Sequence, residues 1–216
     1  CKGNIMASNP QWCLTLDEWK NQFGKWVSSP EPVALLNASI FFDFRALFGA
    51  ADLAEQMRRY LLTAAGGNSL FLQAMARNAL GVAPPLGTIR DFITDLEPGH
   101  PGKIDLKKYG SRIFVDVARI HALATGVHNT NSVQRLRIAS KRLAIRDEEV
   151  DAVLEGLDFI QMLRLRHQFL DDKPGVQGNN LIDPNELNEH DRRVLKESFR
   201  QARKIQNRLK LDYQVR

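Results

Sequence analysis

The 216-residue chain contains no uninterrupted apolar run near the roughly 18–20 residues that a membrane-spanning helix needs. No basic stretch leading into an apolar one is visible at its start, so no secretory signal is read and a cytoplasmic setting is expected. Cysteine is scarce: Cys1 and Cys13 could close only a short loop, and two free thiols in a reducing compartment are the expectation. Neither has a metal-ligand partner at useful spacing, so no metal site is assigned. Phosphate-binding G-x-x-x-x-G-K-[ST], G-x-S-x-G, H-E-x-x-H and C-x-x-C are all missing. So is a G-S followed by D-x-D, the carboxylate pair with which nucleotidyltransferases hold two metal ions. No stretch alternates apolar and polar residues for long enough to build a sheet.

The rest is an ordinary soluble composition, 44% hydrophobic and 25% charged. A net charge of +5 allows an anionic partner but does not by itself indicate nucleic acid. Apolar residues recur at helical spacing almost throughout, and the fold expected is all-α, an antiparallel helical bundle.

Thr15 and Glu18 form a capping box ahead of Leu16, Trp19, Phe23, Trp26 and Val27. A second helix is expected from Pro32 through Phe48, ended by Gly49 and interrupted by Asp43 and Arg45, which point to different sides. A hairpin of two helices follows, near 52–64 and 69–80, joined by Gly66, Gly67 and Asn68. The Pro- and Gly-rich 81–103 is read as a loop with one short piece around 89–93. Tyr109-Gly110 reads as a break before a central helix that stops at Thr125-Gly126. Further helices are expected over 132–143, from Asp147 to about Phe169, and from about Glu186 or Asn188 to Leu211.

The central helix poses the functional question. Arg112, Asp116 and Arg119 fall at i, i+4 and i+7 and share one stripe on an otherwise apolar helix, with Lys107 just upstream. The stripe is either an ion-pair ladder satisfying a buried carboxylate, or the wall of a groove for phosphate or an acidic surface. Asp43 must likewise be neutralised by a remote cation or face a polar cleft. Arg164, His167 and Gln168 lie within about one turn. His167 is either a general base or a packed histidine bonded to a carbonyl, and His121 is read the same way. Helix capping explains Asn131 and Ser132, and an anion-binding role for Arg135 has no support from spacing. The basic residues of the last helix, without interleaved aromatics, read as a solvated face rather than a single-strand binding track.

Several phrases carry a resemblance: GNIMASNP from Gly3, ALLNASIFFDFR from Ala34, PPLG from Pro84, DLKKYG from Asp105, VDVAR from Val115, RLRHQ from Arg164 and LKESF from Leu195. Together they resemble a family of bacterial nucleotidyltransferases with a C-terminal substrate-binding helical domain, found in signal-transduction proteins behind cyclic-nucleotide-binding and CBS domains. That family is similar to PII uridylyltransferase and glutamine synthetase adenylyltransferase. The resemblance implies that residues 1–66 are the C-terminal part of an α/β nucleotidyltransferase domain, and residues 69–213 the helical substrate-binding domain. It also implies that the chain is a C-terminal fragment whose metal-binding carboxylates lie upstream. Mg²⁺ and a nucleoside triphosphate are then expected for the intact protein and none for this fragment. Lys107, Gly110, Arg112 and Asp116 look like a loose K-x-G-x-G-G-L-R-D, one residue longer and without the double glycine.

On this reading Asp43 and His167 are the candidate catalytic residues. Arg45, Lys107, Arg112, Asp116, Arg119, Arg164 and Gln168 are candidates for holding an acceptor, an unidentified protein or small molecule. Other partners implied are the upstream domains and a second copy in a homodimer; neither membrane nor nucleic acid is expected. The competing reading is a non-catalytic helical module that relays signals or mediates dimerisation.

Overall fold

The computed structural model describes residues 9–87, 92–94, 96, 98–170 and 179–215. The possible strand at 4–7, Cys1, and most of the piece expected around 89–93 lie outside them. Among the described residues eight helices account for the architecture, and the only sheet is a pair of two-residue strands.

The chain enters through a 3₁₀ turn, Pro10–Trp12, and helix α1, Leu16–Ser28, opened by the predicted capping box. Thr15 Oγ1 accepts from the Glu18 N–H, while the Glu18 carboxylate accepts from the Thr15 N–H at 2.7 Å. Helix α2, Pro32–Phe41, is held to α1 by rings: Phe41 lies 4.6 Å from Trp12 and 5.2 Å from Trp19 between centroids.

Here the expected boundary is wrong. α2 stops at Phe41, not at Gly49, because Phe42 turns into the core and the segment beyond it is bound from outside the helix. Arg58 donates to the Phe44 carbonyl and sits over the Phe44 ring, 4.7 Å from its centroid. Asp43 is thereby placed in a turn just past a helix end. The apolar residues of 33–48 are only partly buried. Leu35, Ala38 and Phe42 face inward, whereas Val33, Leu36, Leu47 and Phe48 are exposed.

Helices α3, Ala51–Gly66, and α4, Ser69–Leu80, form the predicted hairpin, with Asn68 capping α4 by accepting from the Phe71 N–H. Strand β1, Ile104–Asp105, pairs antiparallel with β2, Leu181–Ile182. This small ladder stitches the loops before α5 and α8 together.

Tyr109-Gly110 is not a break. Lys107–Ser111 forms a π-helical turn, with the Ser111 N–H reaching the Leu106 carbonyl, and runs directly into α5, Arg112–Thr125. Asp105 Oδ1 starts the turn by accepting from the N–H groups of Lys107 and Lys108. Glycine at 110 is there for contact rather than for a stop: a Cβ would lie 3.0 Å from Ile160 Cγ2. Gly126, with φ +70°, does terminate α5.

Helix α5 is the centre of the molecule. Its Ile113, Phe114, Val117, Ala118 and Ile120 are essentially inaccessible, packed among α3, α4, α6, Ser132–Arg142, and α8, Glu189–Asp212. Helix α7, Asp147–Leu170, packs along α8. Asp147 is the first helical residue. Asn188 caps α8, accepting from the Asp191 N–H at 2.8 Å. One apolar core runs from Phe23 to Val215 without a gap at 66–69.

Candidate functional site

The charged stripe of α5 meets Asp43. Asp116 accepts from Arg112 Nε at 3.2 Å and from Arg119 Nη1 at 2.9 Å, so the predicted i, i+4 and i, i+3 spacings are used. Arg119 Nη2 then reaches Asp43 Oδ2 at 2.6 Å, crossing from α5 to the turn after α2. The second Asp43 oxygen, Oδ1, lies 2.6 Å from Arg135 Nη1 of α6. Three segments that are far apart in sequence thus share one electrostatic centre.

The two inner arginines are deeply buried, their side chains 9% and 5% exposed, while Asp43 keeps 30% and Arg112 keeps 46%. Burial pushes the Asp43 carboxyl up, but Arg119 and then Arg135 outweigh it and hold it below the usual carboxylate range. Burial lowers Arg135 from its ordinary value, partly offset by Asp43, with the positive charges of Arg119 and Arg58 adding to the lowering. Arg58 lines the same small cavity as Arg135, Phe42 and Leu62. Four guanidiniums, from Arg58, Arg112, Arg119 and Arg135, therefore stand against the carboxylates of Asp43 and Asp116. The centre carries an excess of two positive charges. Arg119 Nε–H has no acceptor among the described residues. Such an arrangement can bind an anion, and both of its carboxylates are engaged by arginines.

A second polar cluster lies at the end of α7. Arg164 donates through Nε to Asn180 Oδ1 at 2.9 Å and through Nη1 to Ser111 Oγ at 3.0 Å. Gln168 donates to the same Asn180 oxygen at 3.1 Å, and the Asn180 carbonyl accepts from the Leu106 N–H at 2.9 Å. His167 Nε2 lies 3.4 Å from Asn179 Oδ1 and borders an open cavity of about 320 Å³ together with Arg166, Asp183, Glu186 and Asp191.

The structure brings Asp43, Arg112, Asp116 and Arg119 together and sets Arg164, His167 and Gln168 apart with Asn179 and Asn180. Among the described residues no hydrogen bond or ion pair joins the two sets; they approach only along the chain, at Ser111 and Arg112. Arg45 is exposed beyond α2, and Lys107 is exposed on the π-helical turn, its backbone N–H held by Asp105. The sequence offers Arg135 only as a helix-start anion site without support from spacing, and it does not mark Asn180. In the structure Arg135 is 4% exposed beside Leu136 and Ala139, a burial that requires a distant carboxylate. His121 is packed as expected, yet neither ring nitrogen has a hydrogen-bond partner among the described residues, and Asp212 Oδ2 lies 3.8 Å away.

Comparison with known proteins adds the family. Residues 1–33 match the model described as "Putative nucleotidyltransferase DUF294". No curated protein and no solved structure matches the chain. Residues 69–213 match the model "Putative nucleotidyltransferase substrate binding domain", and that match takes in α4 through α8, with the π-helical turn, Arg112, Asp116, Arg119 and Arg135. The chain belongs to this nucleotidyltransferase substrate-binding family.

Proposed function

We propose that the chain serves as the acceptor-binding part of a nucleotidyltransferase and that its arginine-rich centre holds the anionic group of the substrate. The observation that carries this reading is the surplus of guanidinium charge around Asp43. Asp43 and Asp116 fix the forks of Arg119 and Arg135, and Arg112, nearly half exposed, offers its outer face to a ligand. Asp43 acts here as a positioning residue for two arginines rather than as a base. Arg45 and Lys107 extend the positive field beyond the centre, while Arg164 bonds Ser111 at the end of the π-helical turn and shares Asn180 with Gln168, and His167 lies beside Asn179.

The reading extends to a protein similar to PII uridylyltransferase that works in cytoplasmic signal transduction beside CBS or cyclic-nucleotide-binding domains. A nucleoside triphosphate and Mg²⁺ would belong to the catalytic domain. Among the described residues no three His, Cys, Asp or Glu side chains are grouped to hold a metal ion.

Calorimetric titration with pyrophosphate, ATP and poly-glutamate tests the centre. Saturable binding of at least one is expected, with Arg112→Gln weakening it at least tenfold and leaving the fold intact, because Arg112 lies at the surface. Pyrophosphate or ATP binding assigns a phosphate, poly-glutamate an acidic protein acceptor. No binding of any of the three sinks the reading.

A second reading, an interaction or dimerisation module, is favoured by a separate observation. Val33, Leu36, Leu47 and Phe48 expose an apolar face of α2 and the segment after it, with Phe48 fully accessible. Light scattering on Phe48→Ser against the parent chain decides it: an assembly lost in the variant supports the module, and two identical monomers oppose it.

A further inference from the structure

The arginine-rich centre has a buried side as well as an exposed one. Between α3, α5 and α6 lies a small cavity whose walls are six apolar residues and two arginines, Arg58 and Arg135. Phe42, Leu61, Leu123, Val127 and Arg135 are buried, whereas Arg58 and Leu62, one turn apart on α3, are half-buried and mark its mouth. It offers about 10 Å³ to the centre of a water-sized particle, room for one such particle and no more.

The walls are selective in what they can bond. A guanidinium donates and never accepts, and the other six side chains do neither. The Ala122 and Leu123 carbonyls are engaged by the N–H groups of Val127 and Gly126 at the end of α5. A water molecule needs acceptors for its own hydrogens, and these side chains supply none. An anion needs only donors. Arg135 is also short of an acceptor: its Nη1 is buried and makes no hydrogen bond among the described residues, although Asp43 Oδ1 is 2.6 Å away. The charges agree with the donors. Two cations line this space and no carboxylate does, since Asp43 lies outside the walls and is shared with Arg119. Burial lowers Arg135 from its ordinary value and the charge of Arg58 adds to that lowering, so the two guanidiniums are close enough to repel.

We propose that this cavity is a site for one monatomic anion, a halide such as chloride, held between Arg58 and Arg135 behind Leu62. Phosphate and carboxylate groups carry several heavy atoms and are excluded by the room available. The site is distinct from the outer face of Arg112, where an acceptor is proposed to bind, and it does not rest on that reading. A halide here would halve the centre's surplus of two positive charges and would hold the Arg135 guanidinium in place for Asp43.

Thermal unfolding of the full chain at constant ionic strength is the test, with sodium gluconate replaced stepwise by chloride, bromide or methanesulfonate. Chloride and bromide are expected to raise the midpoint saturably, by about 3–6 °C at ten times the dissociation constant, and methanesulfonate to leave it unchanged. Val127→Ile adds a methyl group to the wall and keeps both arginines, while Arg58→Gln removes the half-buried cation. Each is expected to abolish the halide increment, read between salts within the same variant, whatever it does to that variant's own midpoint. Absence of an increment in the parent chain overturns the proposal. So does an increment that methanesulfonate shares, that rises without saturation, or that survives both variants. No acceptor is present in these scans, so a failed titration with pyrophosphate, ATP or poly-glutamate leaves the halide result standing.

Discussion

The two polar clusters of this protein are built on opposite principles. Around Asp43, charges from the turn after α2, from α5 and from α6 meet at 2.6–2.9 Å, and the two inner arginines are nearly sealed from water. At the end of α7, Arg164, His167 and Gln168 meet neutral amides and a hydroxyl, and His167 borders an open cavity. The first cluster is an electrostatic knot in which removing Asp43, Arg119 or Arg135 alone leaves a charge without its partner. The second is a set of hydrogen bonds that water can replace. Fixed guanidiniums in a dry setting can recognise an anion; replaceable amide contacts can position a loop.

The sharpest way to break that contrast is Asp43→Ala. It leaves Arg119 and Arg135 facing each other with no carboxylate between them, and removing one partner of a buried pair leaves an uncompensated charge. A loss of about 2–4 kcal/mol is expected in urea unfolding, the lower side of the range for buried pairs because Asp43 keeps some exposure. A loss under about 1 kcal/mol would mean that water already solvates the knot. The acid limb should show the same group. The folded-state pKa of Asp43 is depressed, so its contribution is present above the unfolded value near 3.8 and disappears as pH falls through the lower folded value.

A second acid window belongs to His121, which sits between these extremes: buried like the knot, unpaired unlike either cluster. Burial pushes its pKa down to about 4, against Asp212, which raises it, and Arg208, which lowers it further. The neutral ring is the folded form, while the unfolded chain takes up a proton near pH 6.5. Stability is therefore full above about pH 6.5 and falls toward pH 4, by at most about 1.4 kcal/mol per pH unit. His121→Leu should flatten the profile between those limits. An unchanged slope would show that the histidine is solvated or paired in solution.

What could be read from the chain divides along the same line. Helices announced themselves, because capping boxes, glycine stops and 3.6-residue periodicity are local: α1, α3, α4 and α6 fall close to the expected spans. So did the Arg112–Asp116–Arg119 stripe, whose ion pairs lie within one helix. The end of α2 was missed because its cause is remote, Arg58 binding Phe44 and two arginines drawing Asp43 away. Arg135 was missed for the same reason: its partner is 92 residues earlier, and spacing along α6 carries no trace of it. Gly110 misled in the other direction. A glycine in a polar-to-apolar transition resembles a break, yet it is required by the close approach of Ile160 and Phe199.

The smallest effects are expected at the second cluster. Arg164→Ala removes two hydrogen bonds but leaves no buried charge behind, since Asn180 Oδ1 keeps Gln168 as a donor and Ser111 can turn its hydroxyl. A loss of about 1 kcal/mol is expected. Arg164→Ala still has a specific signature: faster amide exchange at Leu106 and Ser111, whose backbone bonds depend on Asn180 and the π-helical turn. If Arg164→Ala instead matched Asp43→Ala in urea, the second cluster would be as dry and as coupled as the first. The division of labour between an anion-recognising knot and a loop-positioning clamp would then fall.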